Sequence, residues 1–532
     1  MKNSIQNRFG LTELKNHWQN DMLSGFLIFL LALPLSLGIA KASDFPPIYG
    51  LITAMIGGLV VSFIMGAPLT IKGPAAGLIV IVAGSVAELG HGNNELGWHL
   101  ALGAIVVAGA LQVLMGFFKL GKYTDLFPLS AVHGMLAAIG IIIMSKQVHI
   151  LAGFSPTTAE GKPMTEPLEL LAEFKNTIPH FFEHWQIAVI GLVSLAIVFI
   201  WPYFKHPVMK KIPSALIVIL VAIGMVKFFG IHNTATFKPL LSFDKALFDI
   251  LRVNESFDGF NQFGTFFKYV IMFALVGSLE SLLTVKAVDL LDPEKRKSKY
   301  DKDLMAVGLG NMIAGFFGGL PMISEVARSS ANVNNGAKSQ WANFFHGFFI
   351  FIFLIVDVSF SDLIPMSALA ALLIGVGWKL AHPREFGSAL KIGADQLLVF
   401  AVTVVVTLAT DLLVGIAAGI VLKFILHVAR GVRFFDLFNL KLLSDQNVIR
   451  IQSPLVFTNF MRLQQVLKGC EFSDEVFIDL SNCNFIDHTS MESLHLLQLD
   501  FKNAGGQLQL IGLTEFKSLH QSKHHAAARR KK

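Results

Sequence analysis

Apolar positions along this chain come in long blocks of helical length, broken by short polar or charged stretches. A helix needs about 20 consecutive apolar residues to cross a bilayer core. By that measure residues 22–430 contain about fourteen segments: 22–43, 48–66, 73–89, 99–118, 127–145, 185–204, 212–229, 266–291, 303–318, 322–335, 343–358, 363–380, 396–409 and 411–430. Beyond residue 440 the blocks give way to short strand-like runs, "VIRIQSPLVF", "EVFIDLS" and "QLQLIGL", around the amphipathic "SMESLHLLQLDFKNAG". The pattern predicts an all-α polytopic membrane protein followed by a small α/β cytoplasmic domain. Its parts are a cytoplasmic N-terminus (1–21), a transmembrane domain (22–430), the α/β domain (440–520) and a disordered basic tail (521–532).

Two segments are interrupted: "TIKGPAAGLIVIVAG" (70–84) and "GGLPMISEVARSSANV" (318–333). Proline suits the first helical turn, where its missing N–H costs nothing. Half-helices are therefore expected to start at Pro74 and near Pro321. Broken segments at corresponding places in two halves point to an inverted-repeat transporter, with repeats at about 22–230 and 264–430. Two helix N-termini aimed at one midplane spot form an anion site. Arg328, expected about two turns into the second half-helix, supplies a full charge, and Ser324, Ser329 and Ser330 supply hydroxyls. The bland alternatives are that Arg328 pairs with Glu325 or reaches the membrane surface, and that Ser329 bonds backbone carbonyls. Glu280 lies mid-span, with Thr284 one turn on. That pair can hold a hard cation or a proton, or serve as the partner of a buried donor such as Arg328. Pro34 and Ser36 interrupt the first span and either line the site or mark a kink.

Composition agrees with a membrane protein: 53% hydrophobic and 15% charged, with mean hydropathy +0.60. The net charge of +6 reads as topology, not nucleic-acid binding. With the N-terminus inside, alternating spans place Lys119, Lys122, Lys205, Lys210, Lys211, the 295–299 cluster, Lys338, Lys379, Arg384 and Lys391 on the cytoplasmic side. The loops at 146–184 and 230–263 fall outside, and an even count returns the C-terminus to the cytoplasm. Cys470 and Cys483 suit a reducing compartment rather than a disulfide frame. Asp289, Asp292, Asp301 and Asp303 could hold Mg²⁺ for a transferase, but interleaved basic residues favour a cytoplasmic topology anchor. No Cys/His metal spacing, P-loop or nucleophile elbow appears, which argues against an enzyme and against a cofactor.

An ordered set of motifs resembles the SulP family of inorganic anion transporters over nearly the whole chain: "LALPLSLGIAKAS" (31–43), "GPAAG" (73–77), "SLESLLTVKAVD" (278–289), "GLGNMIAGFFGGLP" (308–321), "RSSANVNNGAKS" (328–339) and the tail's "IDLSNCNFIDHTSMESL" (478–494). The tail then resembles a STAS domain. The resemblance implies a seven-plus-seven inverted repeat with core and gate domains, a homodimer, and elevator-like alternating access in the cytoplasmic membrane. By motif position it puts the anion among Pro34, Leu35, Ser36, Gly73, Pro74, Ala75, Ala76, Ser324, Glu325, Val326, Arg328 and Ser329. It puts a coupling Na⁺ or H⁺ at Glu280 and Thr284, with Ser324 and Val326 contributing. Many relatives have Gln where Leu35 stands, and several have a small neutral residue where Glu325 stands. Asp487 and Thr489 fall near a turn that is phosphorylated in related bacterial domains. The implied function is uptake of bicarbonate or sulfate, with a cytoplasmic regulator at the STAS domain. The alternatives are an anion exchanger or channel, a nucleobase or carboxylate symporter, and a membrane sensor.

Overall fold

The structure is a computed structural model. It describes residues 11–530 except 122–127, 158–163, 165–166, 205, 207–208, 210–211, 232–250, 252–255, 295, 357–363, 411, 446, 468, 471–473 and 519–527. Most of the expected 230–263 loop, Lys122, Lys205, Lys210, Lys211 and Lys295, and the N-terminal residues 1–10 lie outside the described residues. Two compact units form: residues 1–121 with 139–379, and residues 122–138 with 380–532.

Each of the fourteen apolar segments coincides with a helix. In the first unit these are α1 (Leu11–Ala42), α2 (Ile48–Leu59), α3 (Ile79–Leu89), α4 (Asn94–Phe117) and most of α5 (Leu129–Leu151). Two short helices, α6 (Pro167–Ala172) and α7 (Phe174–Glu183), lead into α8 (Trp185–Ile200) and α9 (Ser214–Phe229). Next come α10 (Phe263–Leu291), α11 (Tyr300–Phe316), α12 (Val326–Asn334), α13 (Trp341–Val356) and α14 (Met366–Leu380). By length and composition alone, 7 helical stretches among the described residues can cross a membrane. Five more apolar stretches are shorter, α3 among them. Helix α1 runs continuously through Pro34.

Packing in this unit relies on small residues, because lipid offers no hydrophobic drive between apolar helices. At the α4–α11 crossing, a methyl group on Gly109 would stand 2.6 Å from the Gly308 carbonyl oxygen, and one on Gly308 equally close to that of Gly109. At the α2–α13 crossing, a methyl on Gly347 would meet the Gly58 Cα at 2.6 Å. Any larger residue would force these helices apart.

The second unit holds α15 (Pro383–Ile392), α16 (Ala394–Ala409), α17 (Leu412–Ala429), the short α18 (Phe434–Phe438) and the tail. A buried polar chain ties α16 to α17. Lys423 Nζ donates to Gln396 Oε1 (2.9 Å), Gln396 donates to Asp395 (2.8 Å), and Arg430 reaches the same carboxylate at 2.8 Å. The tail's principal sheet has the order β3-β4-β5-β7. Its strands are β3 (Leu442–Asp445), β4 (Val448–Ile451), β5 (Glu475–Asp479) and β7 (Gln507–Ile511). The first pair is antiparallel and the others are parallel. Helices α19 (Phe460–Leu467) and α20 (His488–Ala504) close a core of Ile449, Ile451, Phe460, Val476, Ile478 and Phe501. Gly505 ends α20 in the left-handed region at φ 89°, a conformation that glycine adopts without strain.

The basic end departs from the expectation of disorder. Ala528–Arg530 forms β9, paired between β6 (Phe485–Ile486) and β8 (Phe516–Ser518). The rest of 521–532 lies outside the described residues. Asp487 and Thr489 are buried; Asp487 caps α20 by accepting from the Ser490 amide and also accepts from the Phe457 amide ahead of α19. A cap of this kind occupies the carboxylate and shields the turn, which counts against phosphorylation there.

Candidate functional site

The site lies within the first unit, where the two interrupted segments meet. The proline breaks do not open helices as the sequence suggested. Lys72–Pro74 (β1) and Met322–Ser324 (β2) are extended and pair antiparallel, with Gly73 opposite Ile323 and Pro74 opposite Met322. The flanking bonds continue the ladder: Glu325 N donates to Ile71 O (3.0 Å), and Ala75 N to Pro321 O (3.4 Å). Helical structure starts only at Ala76, as one 3₁₀ turn running into α3, and at Val326 for α12. Proline lacks a donor and fits an extended stretch whose N–H needs no ladder partner. The correction moves Arg328 from the second turn of its half-helix into the first.

Irregular backbone inside a membrane must find partners within the protein. Side chains from neighbouring helices supply them. Asn343 accepts from Lys72 N (3.0 Å), Asn311 accepts from Met322 N (2.6 Å), and Thr53 accepts from Leu320 N (2.8 Å). Asn332 donates to Leu69 O at 2.9 Å. The sequence motifs "GLGNMIAGFF" and "RSSANVNNG" contain two of these asparagines, whose clamping role their composition did not reveal. A second feature was missed altogether. Lys72 and Asp303 are both fully buried and form an ion pair at 2.6 Å. Lys72 Nζ also meets Ser324 Oγ at 2.5 Å, and Asp303 Oδ1 accepts from the Gly66 and Ala67 amides. Asp303 is therefore an internal anchor of β1 and not part of a surface cluster. Asp289 accepts from Ser298, Asp292 pairs with Arg296, and Asp301 accepts from Gly121 N. These commitments leave the four aspartates as local structural anchors and disfavour a shared Mg²⁺ site. Burial opposes the Asp292 charge, but the Arg296 hydrogen bonds outweigh it and hold the carboxyl below its usual range.

Against this platform the expected site residues separate into two groups. Ser324 and Ser329 are occupied structurally. Ser324 Oγ accepts from Ser281 (3.1 Å) and donates to Asp303 (3.1 Å), while Ser329 donates to Glu325 O and accepts from Ile71 N. Leu35, Ala75 and Ala76 are buried, whereas Val326 is exposed. Glu325 does not turn its carboxylate to the Arg328 guanidinium. It caps α12, accepting from the Arg328 backbone N–H at 2.7 Å. The guanidinium itself is fully buried. Nη2 donates to Ser36 Oγ on α1 at 3.2 Å, and Nε and Nη1 have no hydrogen-bond partner in the protein. A methyl group on Gly73 would overlap Nη1, so the charge lies directly on the β1 backbone. Across the crossing, a methyl on Gly77 would overlap the Glu280 carboxylate, whose Oε1 is buried without a partner. Thr284, one turn along α10, is buried as well. The structure thus brings together Ser36, Gly73, Arg328, Glu325, Glu280 and the starts of two helices. His346 on α13, fully buried with neither ring nitrogen bonded, is a further polar group that sequence reasoning passed over in an otherwise apolar run.

Chemically, the junction holds one guanidinium with open donors, two carboxylates and two partial positive helix ends. A buried arginine with unused N–H groups suits an oxyanion. The Glu280 carboxylate, set against the turn that leads into α3, suits a cation or a proton, since an ionised acid there stays expensive without one.

Comparison with known proteins bears on the family and the fold. Residues 18–403 match the model of the sulfate permease family. A putative sulfate transporter of Bacillus subtilis, YvdB, is 27% identical over 93% of this chain and 92% of its own. The bicarbonate transporter BicA of Picosynechococcus is 24% identical over 78% of this chain and 72% of its own. Among solved structures, the transmembrane domain of a cyanobacterial BicA superposes with TM-score 0.64 at 22% identity, covering 76% of this chain and 97% of that one. The murine anion transporter Solute Carrier 26 family member A9, solved in its inward-facing state, gives TM-score 0.67 at 18% identity over 92% and 85% of the two chains.

Proposed function

Because the chain belongs to the sulfate permease family, we propose that it is a secondary active transporter of a small inorganic oxyanion, sulfate or bicarbonate, coupled to Na⁺ or H⁺. One observation carries the reading. The Arg328 guanidinium at Gly73, with Nε and Nη1 unbonded, and the Glu280 carboxylate at Gly77, with Oε1 unbonded, lie on two sides of the same β1–α3 junction. With both carboxylates ionised, two negative charges would stand against one guanidinium and the site's own charge would be net negative. An arriving anion then adds charge of the wrong sign unless a cation or proton comes with it. In this reading the coupling ion supplies the compensating charge: Glu280 and Thr284 hold a cation or proton, and Arg328, Ser36 and the helix ends hold the anion.

The names of the relatives support the substrate class: both sulfate and bicarbonate transporters are among them. The coincidence of fourteen segments with helices, and the antiparallel meeting of β1 with β2, support a fourteen-span inverted repeat with repeats at about 22–230 and 264–430. In this reading a core domain carries the site past a gate domain in an elevator-like movement. The protein is a homodimer of the cytoplasmic membrane with both termini inside. Residues 440–520 form a STAS domain that receives a cytoplasmic regulator; its mixed sheet and two helices support that assignment. Flux of labelled sulfate and bicarbonate into proteoliposomes, under separate Na⁺ and proton gradients, tests the proposal. Concentrative uptake of one anion that collapses with one gradient is expected. Flux that equilibrates the anion and ignores both gradients would replace the symporter with a channel or exchanger.

A further inference from the structure

We propose a transition-metal site of the zinc class at the α7–α8 junction, formed by His180, Glu183 and His184. The three residues offer ligand atoms that all lie within 4.8 Å of one another. His180 Nδ1 and Glu183 Oε2 are already 2.8 Å apart, and the two imidazole rings are nearly parallel, 9° apart with centroids at 6.4 Å. Zinc holds nitrogen and oxygen ligands at about 2.0–2.2 Å, which sets them roughly 3.3–3.6 Å apart in a tetrahedron. Closing from the present spacing needs only side-chain rotation. Two imidazoles and one carboxylate with a fourth position left to water form a borderline-soft donor set, which selects Zn²⁺ over Mg²⁺ or Ca²⁺.

His180, Glu183 and His184 form the pattern H-x-x-E-H at the end of α7, a ligand spacing that departs from the expectation of no Cys/His metal pattern. The fold makes those five residues a site. Helix α7 is pinned from beneath: Thr177 and the Leu170 carbonyl both bond the buried His149 ring of α5, and Phe181 packs into the cluster around Leu151 and Ala371. These anchors, one on α6 at Leu170 and two on α7 at Thr177 and Phe181, fix the backbone while leaving Glu183 exposed and His180 and His184 half-buried. His184 N donates to His180 O at 3.0 Å, so the turn that carries the second imidazole is itself closed by hydrogen bonding. The His180 ring stacks on Phe154 at 4.1 Å. Stacking restricts its rotamers, so less rotational freedom remains to be lost on binding.

The test is isothermal titration of the full-length, untagged protein with Zn²⁺. His520, His524 and His525 are replaced by alanine in the background, to remove competing imidazoles from the tail. One zinc per chain is expected. His180→Ala and His184→Ala each weaken it by at least about ten-fold, with the melting temperature in chelator unchanged. Zinc also protects His180 and His184 of the wild type from diethylpyrocarbonate, read by peptide mass spectrometry, so a variant that folds poorly does not end the test. Absence of a stoichiometric site, or a site whose affinity and protection pattern ignore these two histidines, overturns the proposal.

Discussion

Removing the positive charge of Lys72 while leaving Asp303 in place isolates the force that holds β1 against α11. Both side chains are fully buried and 2.6 Å apart. At an effective dielectric of 20, the gross attraction at that distance is roughly 6 kcal/mol, offset by several kcal/mol of desolvation for each ion. The net value of the pair against an apolar replacement is therefore small, but the cost of leaving one member alone is large. Lys72→Met strands a carboxylate that still accepts from Gly66 N, Ala67 N and Ser324 Oγ, and should destabilise by ~3–5 kcal/mol. Asp303→Asn strands the ammonium and should cost a similar amount. In the double variant no charge of the pair remains buried, and the amide oxygen introduced by Asp303→Asn can still accept from the Gly66 and Ala67 amides. It should be less destabilised than the sum of the singles by ~3 kcal/mol. The assay is unfolding by SDS in mixed micelles for all four members of the cycle. Additive single effects would refute the reasoning and reduce the pair to two independently tolerated groups.

Glu280→Gln should abolish gradient-driven accumulation in proteoliposomes while sparing downhill anion exchange; undiminished concentrative uptake would remove Glu280 from the coupling site. Glu325→Ala loses the α12 cap and should cost ~0.5–2 kcal/mol, whereas Glu325→Gln keeps a capping oxygen and should melt within about 0.5 kcal/mol of wild type; equal losses would show that the carboxylate does not act as a cap. Cys483 is buried in the tail core, which pushes its thiol up to about 11. At pH 8 about a thousandth of it is thiolate; burial and the neighbouring Asp474 raise the Cys470 thiol too, but Cys470 is only partly buried, so maleimide should label Cys470 ahead of Cys483 until the tail unfolds. The same shift has a sign in stability: burial of the neutral thiol stabilises the fold below the unfolded value near 8.5, and that contribution is lost as pH rises from there through about 11. Mass spectrometry of labelled peptides from about pH 7 to 9, around the ordinary thiol range, and a melting series at alkaline pH check the two statements.

Most of the helical architecture was legible because bilayer thickness and apolar run length are linked by geometry, with no tertiary information needed. The tail elements were legible for a related reason: alternation and a terminal Gly505 mark strands and a helix end locally. The site was legible only in outline. Gly-Pro and Gly-Leu-Pro breaks announce that a helix stops, but they do not say what the backbone does there. Whether Pro74 opens a helix or ends a strand depends on β2, some 250 residues away, and pairing of that range leaves no local trace. Lys72 shows the same limit. A lysine beside "GPAAG" reads as an exposed charge until Asp303 is known to lie under it. Arg328 and Glu280 were found because an unsolvated charge in an apolar run is costly wherever the chain folds. What each charge does depends on which side chains meet it, so Glu325 turned out to cap a helix through the Arg328 backbone N–H and not to bond the Arg328 guanidinium.

The measurement that tests the central claim most directly is equilibrium binding of sulfate and of bicarbonate to wild type, Arg328→Lys and Arg328→Ala in one buffer. A hydrogen bond to a charged group is worth about 1.5–3 kcal/mol. Loss of the guanidinium should therefore weaken the transported anion by roughly 10- to 150-fold in Arg328→Ala, with Arg328→Lys in between because it keeps the charge and loses the fork. Affinity in folded Arg328→Ala that equals wild type for the transported anion would place the binding site elsewhere in the protein.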